Sequence, residues 1–249
     1  MFTMKAMDLT RPLGPPLPTT LDDRQRLALV CRILRREGYD DHLAGHVTAL
    51  QPDGTLLVNP FGIPWGEVRA SDVVGIDRAG EAVSGDWAVN PGVQLHLSLH
   101  AGRGDVRWAL HNHPRWGTIW AGLRRAPPAY DQSSTYCGDV AVVDEYGGAV
   151  DDPSAARDVV SRLGGADVAL LANHGVLVLA PDVPQLMVRA IALEVRCRNA
   201  WHVEALGGGK PVRPEVARRF ADGLSVAGFP GLWEALVRRE LAADDSVLA

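Results

Sequence analysis

Leu110-His111-Asn112-His113-Pro114 ends a mostly apolar run, Val106 to Leu110. The run reads as a short strand, and alternate residues of a strand point to one face. His111 and His113 therefore project together, while Asn112 faces away. A second stretch, Ala172-Asn173-His174-Gly175, lies between Val168-Ala169-Leu170-Leu171 and Val176-Leu177-Val178-Leu179. Both flanks have the pattern of buried strands, so His174 sits at a strand-to-strand junction marked by Gly175. Three imidazoles offered from strand ends can form an open metal site, with the remaining positions left for water or substrate. Taken alone, two histidines one residue apart form a weak motif, and a lone buried histidine is more often a hydrogen-bonded core residue. The surrounding sequence tips the balance toward metal.

The chain has 249 residues, room for one large domain or two small ones. Its apolar fraction of 47% is enough for a sizeable core. A net charge of −5 argues against nucleic acid or an anionic membrane as partner. Cys31, Cys137 and Cys197 are far apart and form no Cys-x-x-Cys, which fits a reducing compartment and speaks against a thiolate zinc site. Lys5 is followed by no apolar segment of a secretory signal. The apolar run from Val168 to Ala180 is interrupted at Asn173, His174 and Gly175, so no stretch spans a bilayer. A cytoplasmic protein with no membrane partner is the expectation.

Upstream of the first histidine pair, residues 1–20 carry Pro12, Pro15, Pro16 and Pro18 and read as a mobile or extended arm. Thr20 is a plausible N-cap for a helix over about 21–37, with Leu27, Val30, Cys31 and Leu34 at helical spacing and Gly38 as the stop. Leu43 to Leu50 and Thr55 to Pro60 flank Pro52-Asp53-Gly54 and read as a hairpin. Val73 to Asp77, ahead of Ala79-Gly80, is another strand and turn. Pro91-Gly92 opens a helix that carries His96 and His100 one turn apart. That pair lacks a third convergent ligand nearby in sequence and is assigned a supporting role.

Downstream, Pro114 begins a helix with Ile119, Trp120 and Leu123, and Pro127-Pro128 ends it. A polar loop from Ala129 to Gly138 follows, then a strand at Val140 to Val143. Asp152-Pro153 caps a helix to Leu163, and Asp182 caps a long helix through Leu206. Gly207-Gly208-Gly209 follows a helix, so it is not a phosphate loop, and two short helices, about 214–222 and 231–240, complete the chain. The sum is one α/β domain with helices packed on a mostly antiparallel sheet.

Five segments, in order, resemble the class II aldolase/adducin family. They are Ala44-Gly45-His46-Val47-Thr48, Val58-Asn59-Pro60-Phe61-Gly62, Ser71-Asp72-Val73-Val74, His96 through His113, and Asn173-His174-Gly175. The likeness covers about residues 21–206, leaving the arm at 1–20 and a C-terminal helical extension at 207–249. It implies a single-domain three-layer α/β/α fold and a homotetramer with fourfold symmetry. It also implies one divalent metal ion per subunit, zinc first with Fe2+ or Mn2+ as alternatives. The matching ligand positions are His111, His113 and His174.

The departures narrow the chemistry. Sugar-phosphate aldolases of the family carry a glutamate where this chain has Gly92, and hold phosphate with an asparagine where this chain has His46. Both the carboxylate and the phosphate grip are expected to be lost. The substrate is then a small, non-phosphorylated carbonyl compound or hydroxy-acid, undergoing aldol, retro-aldol or decarboxylation chemistry. The acid/base candidates are His46, Tyr130, Asp131 and Tyr136, with His46 preferred because imidazole titrates in the right range. A second reading keeps the fold and makes the site an Fe(II)- and O2-dependent oxygenase of an aromatic 2-oxo or 2-hydroxy acid, as in iron enzymes of aminocoumarin pathways that the chain resembles. Trp116, Trp120 and Tyr130 would suit an aromatic substrate. A third is a non-catalytic adducin-like scaffold, which predicts a degraded triad. His202 and Glu204 are candidates to reach a neighbouring subunit, and Arg124 and Arg125 to anchor a carboxylate; a solvated role is favoured for all four.

Overall fold

In the computed structural model the chain is described over residues 12–144, 152–225 and 229–249. The first eleven residues of the proline-rich arm lie outside them. The elements are α1 (Asp23–Arg36), β1 (His46–Leu50), β2 (Leu56–Val58), β3 (Val74–Ile76), β4 (Ala82–Ser84), α2 (Val93–Gly102), β5 (Trp108–Asn112), α3 (Arg115–Gly122), β6 (Val140–Val143), α4 (Pro153–Leu163), β7 (Val168–Leu171), β8 (Gly175–Ala180), α5 (Val183–Ala205), α6 (Pro214–Ser225) and α7 (Leu232–Ala243). The strands form one eight-stranded sheet in the order β4-β3-β2-β1-β5-β8-β7-β6. Only β6 and β7 pair in parallel; every other described pairing is antiparallel.

The period of two in the strands decides which residues meet which helices. Trp108 and Leu110 of β5, Val168 and Leu170 of β7, and Val176 and Val178 of β8 share a core with α1, α5 and α7. Ala109, Ala169, Leu171, Leu177 and Leu179 face the other way, onto α2 and α4. The result is the expected three-layer α/β/α arrangement around a mostly antiparallel sheet. Trp233, Leu236 and Val237 of α7, with Val247, are buried in the same core as α1. Arg32 and Arg36 of α1 reach Asp244 and Glu240 beside them.

Several element boundaries differ by a few residues from the sequence expectation, and two of the shifts have a specific cause. Helix α1 is capped by Asp22 rather than Thr20, because Asp22 accepts from the Gln25 N–H at 2.9 Å while the Gln25 side chain accepts from the Asp22 N–H at 3.1 Å. This reciprocal pair satisfies two otherwise orphaned donors, which Thr20 is too far upstream to do. Strand β5 runs on through His111 and Asn112, because β8 pairs with it up to Asn112↔Val176. The edge strand β4 has no apolar pattern, and its three residues are all exposed, so periodicity does not mark it.

Candidate metal centre

His111, His113 and His174 converge. One ligand atom from each lies within 4.8 Å of the other two. His111 comes from the end of β5, His113 from the link between β5 and α3, and His174 from the β7–β8 turn, where Asn173 adopts φ +56°. Glycine is required at two points of this packing. A Cβ on Gly175 would lie 2.5 Å from both the Asn112 carbonyl oxygen and His113 Cδ2. A Cβ on Gly45, whose φ is +88°, would lie 2.3 Å from Asn112 Nδ2 and 2.8 Å from the His111 carbonyl oxygen. The strand ends can close on each other only because neither residue has a side chain.

The outer nitrogens of two candidate ligands are anchored. His111 Nδ1 lies 2.9 Å from the Val176 carbonyl oxygen, and His113 Nδ1 lies 2.5 Å from Asp41 Oδ2. Both contacts require an N–H at Nδ1 and leave the Nε2 lone pair for an ion, the usual second layer of a histidine metal site. His113 Nε2 is buried without a hydrogen-bond partner. A buried imidazole nitrogen left so is costly, and a divalent ion satisfies it; the residues present fit such an ion. No sequence signal singles out Asp41. It lies in a loop with no periodicity, and only the folded chain shows that the loop closes onto His113.

His46 joins the group from the start of β1. It is the cross-strand partner of His111, with ring centroids 5.2 Å apart, and it stacks on His96 of α2 at 4.4 Å. Neither His46 ring nitrogen has a hydrogen-bond partner. Burial, with His113 and His174 nearby, lowers its pKa to about 3, so the ring is neutral at pH 7. A Cβ on Gly92 would stand 3.3 Å from His46 Cε1; the imidazole fills the space that a side chain at 92 would enter. His96 and His100 stand outside the convergent triad. His96 Nδ1 and His100 Nε2 share the Thr48 hydroxyl at 2.7 and 2.8 Å.

The other candidates lie elsewhere. Asp131 accepts from the Ser134 hydroxyl and from Asn199, while Tyr130 packs near Gly209; none of these partners belongs to the triad. Tyr136 accepts from Gln132 at 2.6 Å. Trp120 is core, donating to the Cys197 carbonyl at 2.8 Å. Trp116 packs with Trp201 and His202 at ring distances of 5.3 and 5.7 Å. Glu204 is paired with Arg125 at 2.6 Å, and Arg124 with Asp144 at 3.5 Å. Among the described residues no helix is long and apolar enough to cross a membrane.

The chain is 29% identical over 199 residues to a 4-hydroxy-3-prenylphenylpyruvate oxygenase/4-hydroxy-3-prenylbenzoate synthase of Streptomyces roseochromogenus subsp. oscitans, covering 78% of this chain and 72% of that one. It is 28% identical over 199 residues to the decarboxylase NovR of Streptomyces niveus, covering 78% and 74%. The crystal structure of an aldolase II superfamily protein from Pseudomonas syringae superposes with a TM-score of 0.80 at 27% identity, covering 90% of this chain and 94% of that one. Residues 25–201 match the class II aldolase and adducin N-terminal domain, and the chain belongs to that family.

Proposed function

We propose that this chain is a metal-dependent lyase that breaks a C–C bond in a small, non-phosphorylated hydroxy- or oxo-acid, by decarboxylation or retro-aldol cleavage. The observation that carries the reading is the convergence of His111, His113 and His174, with His113 Nε2 buried and unpartnered. A divalent ion held there, zinc first with Fe2+ or Mn2+ as alternatives, supplies Lewis acidity toward a substrate carbonyl or carboxylate oxygen. The chain's own residues do the rest. Val176 and Asp41 hold two ligand rings in the tautomer that presents Nε2. His46, neutral and flanking the triad, offers one donor and one acceptor nitrogen. A pKa near 3 makes it a weak base, short of the near-neutral titration expected of it from the sequence, so its part is to hydrogen-bond a substrate oxygen as donor or acceptor.

Gly92 leaves the site without a carboxylate at that position, and His46 occupies the space beside it. This favours unphosphorylated acids over sugar phosphates. Tyr130 and Asp131 take part only where a second subunit brings them to a neighbour's triad, in line with the homotetramer that the resemblance implies. The test is release of carbon dioxide or aldehyde from a panel of hydroxy- and oxo-acids, before and after chelation. Metal-dependent release supports the lyase; release indifferent to chelation contradicts it.

A second reading is favoured by one specific observation, the name of the Streptomyces roseochromogenus relative, an oxygenase. Three neutral imidazoles with open positions also suit Fe(II) and dioxygen. Oxygen uptake that requires iron and an aromatic 2-oxo or 2-hydroxy acid would favour it over the lyase. The scaffold reading predicts a degraded triad, and all three histidines are present and convergent.

A further inference from the structure

We propose that Glu194, on α5, is a positioning residue for the metal centre: its carboxylate holds the backbone that leads from His113, while Ala190, one turn away on α5, holds through Tyr39 the chain that leads to Asp41. The proposal rests on the triad holding a metal.

Glu194 is 6% exposed. Its carboxylate accepts from the Trp116 N–H at 2.8 Å and the Gly117 N–H at 2.9 Å. These are orphaned donors in the first turn of α3. The N-cap position there is Pro114, which makes no side-chain cap bond, so the cap comes from another helix. His113 is the residue just before Pro114. Its backbone is fixed on one side by β5 and on the other by the start of α3, which Glu194 holds.

The same helix backs the other segment. Gly38, with φ +103°, lies beside Glu194, where a Cβ would make ordinary contact with Glu194 Cγ at 3.4 Å. Tyr39 donates its hydroxyl to the Ala190 carbonyl at 2.7 Å, one turn from Glu194 on α5. Asp41 follows two residues after Tyr39. One turn of α5 thus holds the chain leading to Asp41 and the chain leading from His113, and the 2.5 Å contact between those residues depends on both. A carboxylate in this place is expensive. Burial raises its pKa to about 7 against the pull of two backbone N–H groups, Arg198 and Arg115. An apolar residue would pack there without that cost but could not cap α3.

The experiment is a Co2+ titration of the full chain, read by visible absorption, on the wild type and on Glu194→Gln, Asp41→Asn and the double variant. Gln retains one acceptor but turns an amide NH2 toward the second backbone donor. The expected result is a tenfold or greater loss of Co2+ affinity in Glu194→Gln, a changed cobalt spectrum, and a double variant that loses less than the two single losses combined. Unchanged affinity, or independent losses in the double variant, overturns the proposal. Should Glu194→Gln fail to fold, Tyr39→Phe decides: it frees the Asp41 segment from α5 and is expected to weaken Co2+ at least threefold, and no change overturns the proposal. The underlying triad reading is judged separately, by stoichiometric Co2+ in the wild type and none in His174→Ala; a wild type that takes up no Co2+ overturns both.

Discussion

Asp41 Oδ2 lies 2.5 Å from His113 Nδ1, joining a carboxylate from the loop after α1 to a candidate ligand 72 residues further along the chain. The contact fixes the His113 ring and its tautomer. Asp41→Ala is therefore expected to weaken metal binding by about 10- to 100-fold, with the sheet intact. Competition against a chelator measures it. A variant that binds as tightly as the wild type would show that the contact does not orient the ligand.

Gly45→Ala should destabilise the protein by about 3 kcal/mol, because the new methyl overpacks a closed site at a backbone angle that alanine avoids. That methyl meets Asn112 Nδ2 and the His111 carbonyl oxygen, and φ at this position is +88°. Thermal or denaturant unfolding reports the loss. Because the clash falls on the backbone of His111, metal affinity should fall as well. A stable variant with weakened metal binding, or the reverse, would separate two effects that this packing ties together.

His100 gives a pH dependence. Its pKa is lowered from 6.5 to about 4, chiefly by burial, so the fold favours the neutral ring. A depressed histidine stabilises fully above pH 6.5, and its contribution is lost as pH falls toward 4. The contribution is up to about 3 kcal/mol. His100→Gln can still bond to Thr48 and should flatten the fall in stability between pH 6.5 and 4. An unchanged slope in the metal-free protein would assign the acid sensitivity elsewhere.

Inorganic phosphate and sugar phosphates should bind poorly, because His46, a neutral imidazole, occupies the position that the family resemblance gives to a phosphate-holding asparagine. Calorimetry with a sugar phosphate is expected to show no tight binding. A tight complex would contradict the substrate class proposed here.

How far the sequence carries the reading depends on distance along the chain. The alternation in β5, β7 and β8 is local, and by itself it places the three candidate ligands at strand ends. Caps formed within a few residues, such as Asp152 with Ser154 and Ala155 and Asp182 with Gln185, are equally legible. Asp41 and Glu194 are not. Each acts on residues more than seventy positions away, and neither sits in a motif whose spacing marks a site. His46 lies between these cases. Its motif flags it, but only the β1–β5 register shows that it faces His111. Tyr130 and Asp131 show the opposite: polar residues in a loop invite a catalytic reading, while the bonds to Ser134 and Asn199 give Asp131 a structural task within its own chain.

The most direct test of the central claim is the metal content of the wild type beside His111→Ala and His174→Ala, by elemental analysis after purification without oxygen. About one divalent ion per subunit in the wild type, and little or none in either folded variant, is the predicted result. Full metal content in either variant, or a wild type that neither carries nor takes up a divalent ion, would contradict the account.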